Sequence, residues 1–320
     1  MKVFITGGTG SLGKALIKKI KEKGWKVVVY SRDEGKQALS FGGDPDIECV
    51  IGDVRDLNKL NTSMRLHKPD YVIHAAALKR VDDMERYPDE CVKTNIMGSE
   101  NVAIAALNNK VKKCILVSTD KACQPVNVYG STKFIAERIF TNFDFNSDNT
   151  IFASVRYGNV IASRGSFIPI WLDLIKKGEK IKITSLECSR FLFPLSDAVE
   201  TVLSSLENAV GGEIFIPKIN SFKMDFIKET LQEMQNKNIE FDITGMRPGE
   251  KIHEDMLAPT ELPYTRVIDE KLLAVLPQYT KKNHDHNEVY DGLVMNSGLH
   301  LCEDTDLLKD LIARGLDDAD

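Results

Sequence analysis

The sequence lacks the features that mark disulfide-rich, zinc-binding and membrane-spanning proteins. Its six cysteines include no CxxC pair, which argues against a zinc cage or a redox pair. No apolar run reaches the length of a transmembrane helix. The opening MKVFITGGTG enters a strand and a glycine turn instead of the basic and apolar regions of a signal peptide. We therefore expect a cytoplasmic protein without a membrane segment.

The sequence also lacks the basic excess of a nucleic-acid-binding protein, since 47 acidic residues outnumber 42 lysines and arginines. We expect no nucleic-acid partner, but a small-molecule substrate and a homo-oligomer. The motif HDH, residues 284–286, lies in a polar stretch and is predicted to be a solvated loop, so no metal is expected. The remaining composition is that of a globular protein, with 42% hydrophobic and 28% charged residues in 320 positions.

Short apolar strands alternate with helical segments through the first half of the chain. The predicted strands lie in KVFIT, KVVVYS, IECVIGDVRD, DYVIHAAA, KKCILVSTD and TIFASVRYGNV, and one long helix runs from about Pro88 to Asn109. This alternation predicts an α/β fold with a Rossmann-type doubly wound parallel sheet, whose strands all end on one ligand-binding edge. We predict a dinucleotide-binding domain over residues 1–160, to which some later segments return. A smaller mixed substrate lobe and a C-terminal tail are predicted over residues 161–320.

The glycine-rich segment TGGTGSLG follows the first predicted strand and opens the first helix. Its glycines permit a tight turn and a close approach of the backbone to a pyrophosphate, and the N–H groups at the helix N-terminus attract the phosphates. The alternative is a glycine-rich turn without a ligand. The strand–turn–helix context favours a dinucleotide site. Its predicted cofactor contacts are Gly7, Thr9, Gly10, Ser11, Leu12 and Gly13.

The end of the second predicted strand indicates which dinucleotide binds. NAD sites of this type carry an acidic residue there for the adenosine ribose. This sequence has Ser31 and Arg32 instead, with Asp33 slightly late and Lys36 in the next turn. A hydroxyl and a guanidinium suit a 2′-phosphate, which predicts NADP over NAD, and the alternative for Arg32 is a solvated surface arginine. Further cofactor contacts are predicted after the next two strands, at Asp53, Val54, Ala75 and Ala76.

Tyr129 and Lys133 are four residues apart at the start of a predicted helix, which places both side chains on one face. A free tyrosine has a pKa of about 10, and a lysine ammonium and a nicotinamide cation nearby would lower that pKa. The phenolate would then take a proton from a substrate hydroxyl as its carbon gives up hydride. Lys133 would also hold the nicotinamide ribose, and Ser118 or Thr119 would hydrogen-bond the same substrate oxygen.

Taken together, several segments resemble one enzyme family, the extended short-chain dehydrogenase/reductases that act on nucleotide sugars. The segments are TGGTGSLG, YSRDE, GDVRD, HAAALKRV, TNIMGSENV, STDKACQPVNVYGSTK, RYGNVIASRGS and MRPGEKIHE. Within that family they are similar to the inverting UDP-N-acetylglucosamine 4,6-dehydratases, for which the TDK triplet is distinguishing. Retaining dehydratases carry an Asp-Glu pair there. The match covers most of the chain, although the tail keeps only a loose version of the expected Ser/Asn-rich loop.

The resemblance implies an NADP-dependent reaction on UDP-N-acetylglucosamine. Tyr129 would take the C4 hydroxyl proton, Lys121 would remove the C5 proton, and a protonated Asp120 would protonate the departing C6 oxygen. The Asp-Lys pair further implies inversion at C5, which gives UDP-2-acetamido-2,6-dideoxy-β-L-arabino-hexos-4-ulose. With Thr119, Asp120, Lys121, Tyr129 and Lys133 as the catalytic set, the implied substrate contacts are Lys79, Asn159, Arg190, Arg247 and Glu250.

Two states of Asp120 and Lys121 are open. Burial beneath the sugar would disfavour charge on both, leaving a neutral lysine and a protonated aspartate. A salt bridge would instead stabilise the opposite states and pin the loop. We expect an extended segment, in which adjacent side chains point to opposite sides, and this disfavours the salt bridge. For the whole chain, the alternatives are a UDP-sugar 4-epimerase, a retaining 4,6-dehydratase and a non-catalytic NADP-sensing regulator.

Overall fold

The computed structural model describes residues 1–161, 163, 165–237, 240–284 and 288–318. The prediction of a solvated loop is wrong for His284 of the HDH motif, which is buried. It lies beside Glu213, with 3.3 Å between Nδ1 and Oε1. Asp285 and His286 lie outside the described residues. Within the described ranges, no helix is both long enough and apolar enough to cross a membrane.

The first half of the chain alternates strands and helices, as predicted, and the second half is mixed. In chain order the strands are β1 Lys2–Thr6, β2 Lys26–Ser31, β3 Ile47–Ile51, β4 Tyr71–His74, β5 Lys113–Val117, β6 Ile151–Val155, β7 Asn159–Val160, β8 Ile181–Ile183, β9 Ser189–Phe193, β10 Ile214–Pro217, β11 Ser221–Lys223, β12 Phe241–Ile243, β13 Asp255–Leu257, β14 Thr265–Val267, β15 Leu272–Val275, β16 Glu288–Val289 and β17 Met295–Asn296. The α-helices are α1 Ser11–Glu22, α2 Glu34–Phe41, α3 Leu57–His67, α4 Val81–Arg86, α5 Pro88–Cys91, α6 Gly98–Asn108, α7 Val128–Phe145, α8 Phe167–Lys177, α9 Leu195–Asn208, α10 Met224–Gln235 and α11 Thr305–Asp317.

The largest sheet has ten strands in the order β16-β14-β15-β10-β6-β5-β4-β1-β2-β3. The strands from β3 to β10 in this order are parallel to their neighbours, and β15, β14 and β16 continue the sheet antiparallel. The strand order reverses between β1 and β4, where a doubly wound sheet opens its ligand crevice. The predicted α/β doubly wound fold is therefore confirmed. Four strands from the second half join this sheet, while the domain boundary at residue 160 stays a prediction.

Apolar side chains fill both faces of the parallel sheet. On one face Val3 and Ile5 pack against Leu16 of α1 and Val202 of α9. On the other face Phe4 belongs to a cluster with residues of α3, α6 and α7. Successive side chains of a strand point to opposite faces, so the continuous apolar strands serve both clusters. A third cluster, built from α8, α10, α11, β8 and β9, forms the core of the mixed lobe.

The predicted helix from Pro88 to Asn109 is confirmed, but a π-helix at Val92–Met97 joins α5 to α6 within it. Asn95, in the π-helix, donates from Nδ2 to the Leu78 carbonyl (2.9 Å) and accepts from the Leu78 N–H (2.8 Å). Its Nδ2 also donates to Thr132 Oγ1 in α7 (3.1 Å). This side chain therefore ties the loop after β4 to α7 at the edge of the sheet.

A buried ion network supports the same edge from below. Arg156 follows β6, is fully buried, and donates from Nη2 to Glu137 Oε2 of α7 (2.8 Å) and from Nη1 to Glu261 Oε2 (2.9 Å). Glu137 Oε1 also accepts a hydrogen bond from Ser118 Oγ (2.6 Å). The network thus joins the ends of β5 and β6, α7 and the segment after β13.

Replacing Arg156 should strongly destabilise the fold. Arg156→Met removes the cation that lies closest to both Glu137 and Glu261, so we expect the free energy of unfolding to fall by about 3–5 kcal/mol. Lys177→Met is the control, because its pair with Asp173 is exposed and solvent screening leaves it little effect on stability. Urea denaturation measures both, and similar small losses in the two variants would contradict the importance given to the buried network.

Candidate active site

The glycine turn between β1 and α1 is pressed against the loop after β4. Gly7 has a φ of +74°, and a Cβ there would lie 2.8 Å from the Ala76 nitrogen. A Cβ at Gly13 would lie 2.5 Å from the Gly8 Cα. Side chains are thus excluded from a cradle formed by backbone, the arrangement that a pyrophosphate needs.

The N-terminus of α1 opens into this cradle. Gly10 stands at the N-cap with no side-chain hydrogen bond, and the first turn of α1 holds no acidic residue. Thr9 is buried, Ser11 begins the helix, and Leu12 packs against the core. The predicted pyrophosphate-binding segment therefore lies at a helix N-terminus whose positive dipole end favours an anion.

The ends of β2 and β3 bring the predicted adenosine contacts together. Arg32 has 60% of its side chain exposed, and its Nη1 lies 3.9 Å from Asp53 Oδ2. Asp33 caps α2 by accepting from the Lys36 N–H (2.9 Å) and pairs with Lys36 Nζ (2.7 Å). Ser31 Oγ accepts from Gln37 (2.9 Å). Asp33, the acidic residue that follows β2, thus caps α2, whereas the Arg32 side chain is exposed.

The backbone after β3 and β4 is also held in place. The Asp53 carbonyl accepts from Tyr30 OH (2.9 Å), and the buried Val54 carbonyl accepts from Asn101 Nδ2 (3.0 Å). The N–H groups of Ala75 and Ala76 donate to the carbonyl and Oγ1 of Thr6, each at 3.2 Å. Further along that loop, Lys79 is exposed.

Tyr129 lies in the first turn of α7, which is capped by Asn127. Its side chain lies beside Thr119, whereas Ser118 donates to Glu137 in the buried network. Thr119 is therefore the one of the two candidate hydroxyls that lies beside the tyrosine. Burial raises the pKa of Tyr129 to about 12, against the opposing charge of Lys121. The expectation of a lowered pKa is wrong for the protein alone, because burial outweighs the nearby charge.

Lys133, one turn further along α7, is fully buried. Burial lowers the pKa of Lys133 to about 8, and the carboxylate of Glu137 opposes that shift. A lysine held at such cost, on the same helix as the tyrosine, is more often functional than structural.

The side chains of Asp120 and Lys121 lie in the direct contact that was disfavoured on sequence grounds. Residues Asp120–Ala122 form a 3₁₀ helix, so the extended segment was a wrong prediction, and Lys121 Nζ lies 3.1 Å from Asp120 Oδ1. Burial raises the pKa of Asp120 against the charge of Lys121, in agreement with a protonated acid. Burial by itself would lower the pKa of Lys121, but Asp120 and Glu254 raise it above its usual value. The lysine therefore holds its proton, contrary to the neutral base expected.

Of the predicted substrate contacts, the structure brings Arg190 and Glu250 together. Arg190 is mostly buried in β9, and its Nη2 lies 3.0 Å from Glu250 Oε1. Arg247 pairs with Asp82 (2.9 Å) and has 57% of its side chain exposed. Asn159 Oδ1 is buried and has no hydrogen-bond partner in the part of the chain that is described. An unsatisfied buried amide oxygen is costly, which makes this position a candidate ligand contact.

The sequence analysis missed Glu254, whose Oε1 lies 3.2 Å from Lys121 Nζ. Its signal was present, since Glu254 is the final residue of the segment MRPGEKIHE. Nothing local distinguishes this glutamate from Glu250 four positions earlier. Only the fold places it against the lysine.

Comparisons with known proteins show the family to which the chain is similar. A family model described as "Polysaccharide biosynthesis protein" matches residues 3–275. The chain is 44% identical over 292 residues to a UDP-N-acetylglucosamine 4,6-dehydratase (inverting) of Campylobacter jejuni, covering 88% of this chain and 85% of that protein. It is 39% identical over 274 residues to a UDP-glucose 4-epimerase of Rickettsia massiliae, covering 81% and 78%. The X-ray structure of Pen from Bacillus thuringiensis superposes with a TM-score of 0.90 at 33% identity, covering 98% and 96%.

Replacing Lys133 should stabilise the ligand-free protein. Its pKa is lowered on folding, so the unfolded chain binds more protons between pH 8 and 10.5, and stability rises with pH across that window. Lys133→Met removes a buried charge and should raise the free energy of unfolding at pH 7 by roughly 3 kcal/mol, with the gain shrinking toward pH 10.5. Urea denaturation at several pH values measures this, with Lys177→Met as the exposed control. A pH-independent loss of stability would contradict the buried charge.

Proposed function

Because the chain belongs to the polysaccharide biosynthesis protein family, we propose that it is an NADP-dependent UDP-N-acetylglucosamine 4,6-dehydratase that inverts C5. One observation carries the proposal: Asp120 and the mostly buried Lys121 lie against each other beside Thr119, which also faces Tyr129. An acid and a base are needed for elimination across C5 and C6. The relative from Campylobacter jejuni is named for this reaction.

The nearest competing function is 4-epimerisation, for which the Rickettsia massiliae relative is named. Epimerisation removes a hydride from C4 and a proton from the O4 hydroxyl and later returns both. A tyrosine suffices to hold that proton. It leaves the buried Asp120–Lys121 pair without a role. Two buried ionisable groups cost stability, and such groups cluster at functional sites. The pair therefore favours the dehydratase, which gives both groups a role, over the epimerase.

The residues at the sheet edge fit a nicotinamide dinucleotide. Gly7 and Gly13 leave a cradle that a Cβ would fill, and α1 presents its N-terminus to it. When bound in this cradle, NADP would supply the acceptor for the C4 hydride and the donor of the hydride that C6 receives. We assign the 2′-phosphate to Arg32, which is exposed at the end of β2, because Asp33 is committed to capping α2.

Tyr129 receives the proton of the C4 hydroxyl in this scheme. It must be a phenolate to do so, and the charge of Lys121 favours that form against the effect of burial. Lys133 lies on the same face of α7, one turn away, and is assigned to the nicotinamide ribose. These residues serve the oxidation at C4.

Asp120 and Lys121 serve the elimination. Asp120 is fully buried with a raised pKa, so it enters the reaction as a carboxylic acid and can give its proton to the C6 oxygen. Lys121 is assigned as the base for the C5 proton. Because its pKa is raised in the structure, Lys121 must release a proton before it can act.

The diphosphate and ribose of the substrate are assigned to polar residues of β7, β9 and the segment before β13. Asn159 offers a buried amide oxygen without a partner in the described structure, which can accept from a hydroxyl, and the exposed Arg247 guanidinium can donate to a phosphate. Arg190 is held by the Ile252 carbonyl (3.0 Å) and by Glu250, so it fixes the glutamate whose oxygens can accept from ribose hydroxyls. We also propose that Lys79 contacts the substrate and that the protein forms a homo-oligomer, as expected from the sequence.

The reaction can be tested by isotope labels. UDP-N-acetylglucosamine labelled with tritium at C4 should give, in D₂O, a 6-deoxy-4-keto product with deuterium at inverted C5 and tritium at C6. Nuclear magnetic resonance and tritium counting measure the positions. Tyr129→Phe is the control and should form neither product nor reduced cofactor. A product that keeps its C6 oxygen would reject dehydration and favour the epimerase.

Cofactor choice can be tested at Arg32. Arg32→Ala should weaken NADP binding about 10- to 100-fold, because a hydrogen bond to a charged group contributes about 1.5–3 kcal/mol. NAD binding should change little. Arg65→Ala, on α3, is the matched control and should alter neither. Calorimetric titration measures the affinities of the wild type and both variants for NADP and NAD, and equal weakening of NADP and NAD in Arg32→Ala would reject the 2′-phosphate contact.

A further inference from the structure

Glu254 is a buried carboxylate to which the scheme above gives no role. Its N–H donates to Ser297 Oγ (2.8 Å), and its carbonyl accepts from the Ser297 N–H (2.8 Å). Ser297 directly follows β17 and is itself held by Ser189 Oγ (2.7 Å). The C-terminal part of the chain therefore fixes the backbone that carries Glu254.

Two carboxylates flank one ammonium group at this place. Lys121 Nζ lies 3.1 Å from Asp120 Oδ1 and 3.2 Å from Glu254 Oε1. The second oxygens, Asp120 Oδ2 and Glu254 Oε2, are buried and have no hydrogen-bond partner among the described residues. We call these three side chains the proton triad.

The proton triad carries one excess negative charge when all its members are ionised. Other cations face it, but each has its own partner: Arg190 pairs with Glu250, and Lys251 pairs with Asp255 (3.0 Å). An uncompensated charge in a protein interior is costly, and neighbouring carboxyl groups relieve the cost by binding a proton.

The surroundings decide which carboxyl group binds that proton. Burial opposes ionisation of Glu254, but Lys121 and Arg190 outweigh it and lower the pKa of Glu254. Burial and the charge of Glu254 raise the pKa of Asp120. Tyr129 also faces Asp120 and Lys121, and it is neutral at rest because burial raises its pKa. The resting state is thus an acid at Asp120, an ammonium at Lys121 and a carboxylate at Glu254.

We propose that Glu254 accepts the proton that Lys121 must release before the lysine can act as a base. The assignment of this transfer to catalysis rests on the proposed dehydratase function. The shared proton, which is the one that Asp120 holds in the resting triad, is inferred independently of that function. Glu254 acts through Lys121 and is a positioning residue. When a sugar displaces water from the site, the charges of Lys121 and Glu254 lose solvation. Transfer of the proton, which makes both side chains neutral, then becomes favourable.

The proton balance closes. The Lys121 N–H bond breaks as the Glu254 O–H bond forms, and the amine lone pair then takes the C5 proton. The C5–H electron pair forms the C5–C6 double bond as the C6–O bond breaks, and the Asp120 proton completes the departing water. The triad ends with as many protons as it began. Tyr129 takes one proton from O4 and C5 later receives one proton, so the enzyme as a whole neither gains nor loses a proton.

The shared proton can be tested without substrate. The infrared difference between wild-type protein and Asp120→Asn at pH 7 should contain the carbonyl band of a carboxylic acid. Glu254→Gln leaves one carboxylate facing one ammonium, so Asp120 should ionise and that band should vanish. Asp255→Asn, one residue away on β13, is the matched control and should keep the band. No band in the wild type, or a band that survives Glu254→Gln, would overturn the shared proton.

The transfer itself is tested by kinetics. Glu254→Gln should lower kcat for dehydration about 10²- to 10⁴-fold and leave KM within about twofold. Its kcat should rise with pH, since Lys121 must then lose its proton to solvent, and reduced cofactor should still form in a single turnover. Glu254→Asp, which keeps the carboxylate and also serves if the glutamine variant does not fold, should recover part of the rate. A loss with the wild-type pH profile, or no recovery by aspartate, would reject the transfer.

The two proposals fail in different ways. A wild-type enzyme that forms no dehydrated product would reject the dehydratase, and the infrared result would still decide the shared proton. A wild-type dehydratase whose Glu254→Gln variant matches it in rate and pH dependence would reject the role of Glu254 alone.

Discussion

Parallel strands must all end on the same edge of their sheet, and the candidate site depends on that constraint. Gly7 follows β1, Ser31 ends β2, Ala75 follows β4 and Thr119 follows β5. These residues are far apart in sequence and meet only because right-handed crossovers return the chain to the same side each time. The glycine turn brings two of these strand ends into direct backbone contact, since Gly7 and Ala76 leave no room for a Cβ between them.

Two buried ion networks begin at adjacent residues after β5 and have opposite characters. Ser118 donates to Glu137, which together with Glu261 encloses Arg156 in saturated hydrogen bonds. Thr119 donates to Asp120, which together with Glu254 encloses Lys121 but leaves two oxygens without partners in the described structure. An arginine does not give up its proton in proteins, whereas a lysine can. One network is therefore suited to support, and its neighbour to proton transfer.

The second half of the chain completes the site as well as the sheet. Glu250 and Glu254 come from a segment that lies against β9, and Ser297 anchors the second of them from near the C-terminus. The loosely matching Ser/Asn-rich tail thus has a definite structural task. Asn296 beside it donates to Asp255 (2.7 Å), so two consecutive tail residues hold two consecutive acidic residues. Changes in this tail should therefore reach the proton triad through the backbone.

The sequence by itself determined the strand–helix alternation, the glycine turn and the helix that carries Tyr129 and Lys133, because these follow from periodicity and spacing over a few residues. It did not determine the charge states. The predicted neutral Lys121 was wrong because a pKa depends on partners in space, and Glu254 lies far along the chain. Nor could it choose between Ser118 and Thr119, since only the fold shows that Ser118 is turned toward the buried Glu137 while Thr119 lies beside Tyr129. Tertiary structure decided these points because burial removes the water that would otherwise screen each charge.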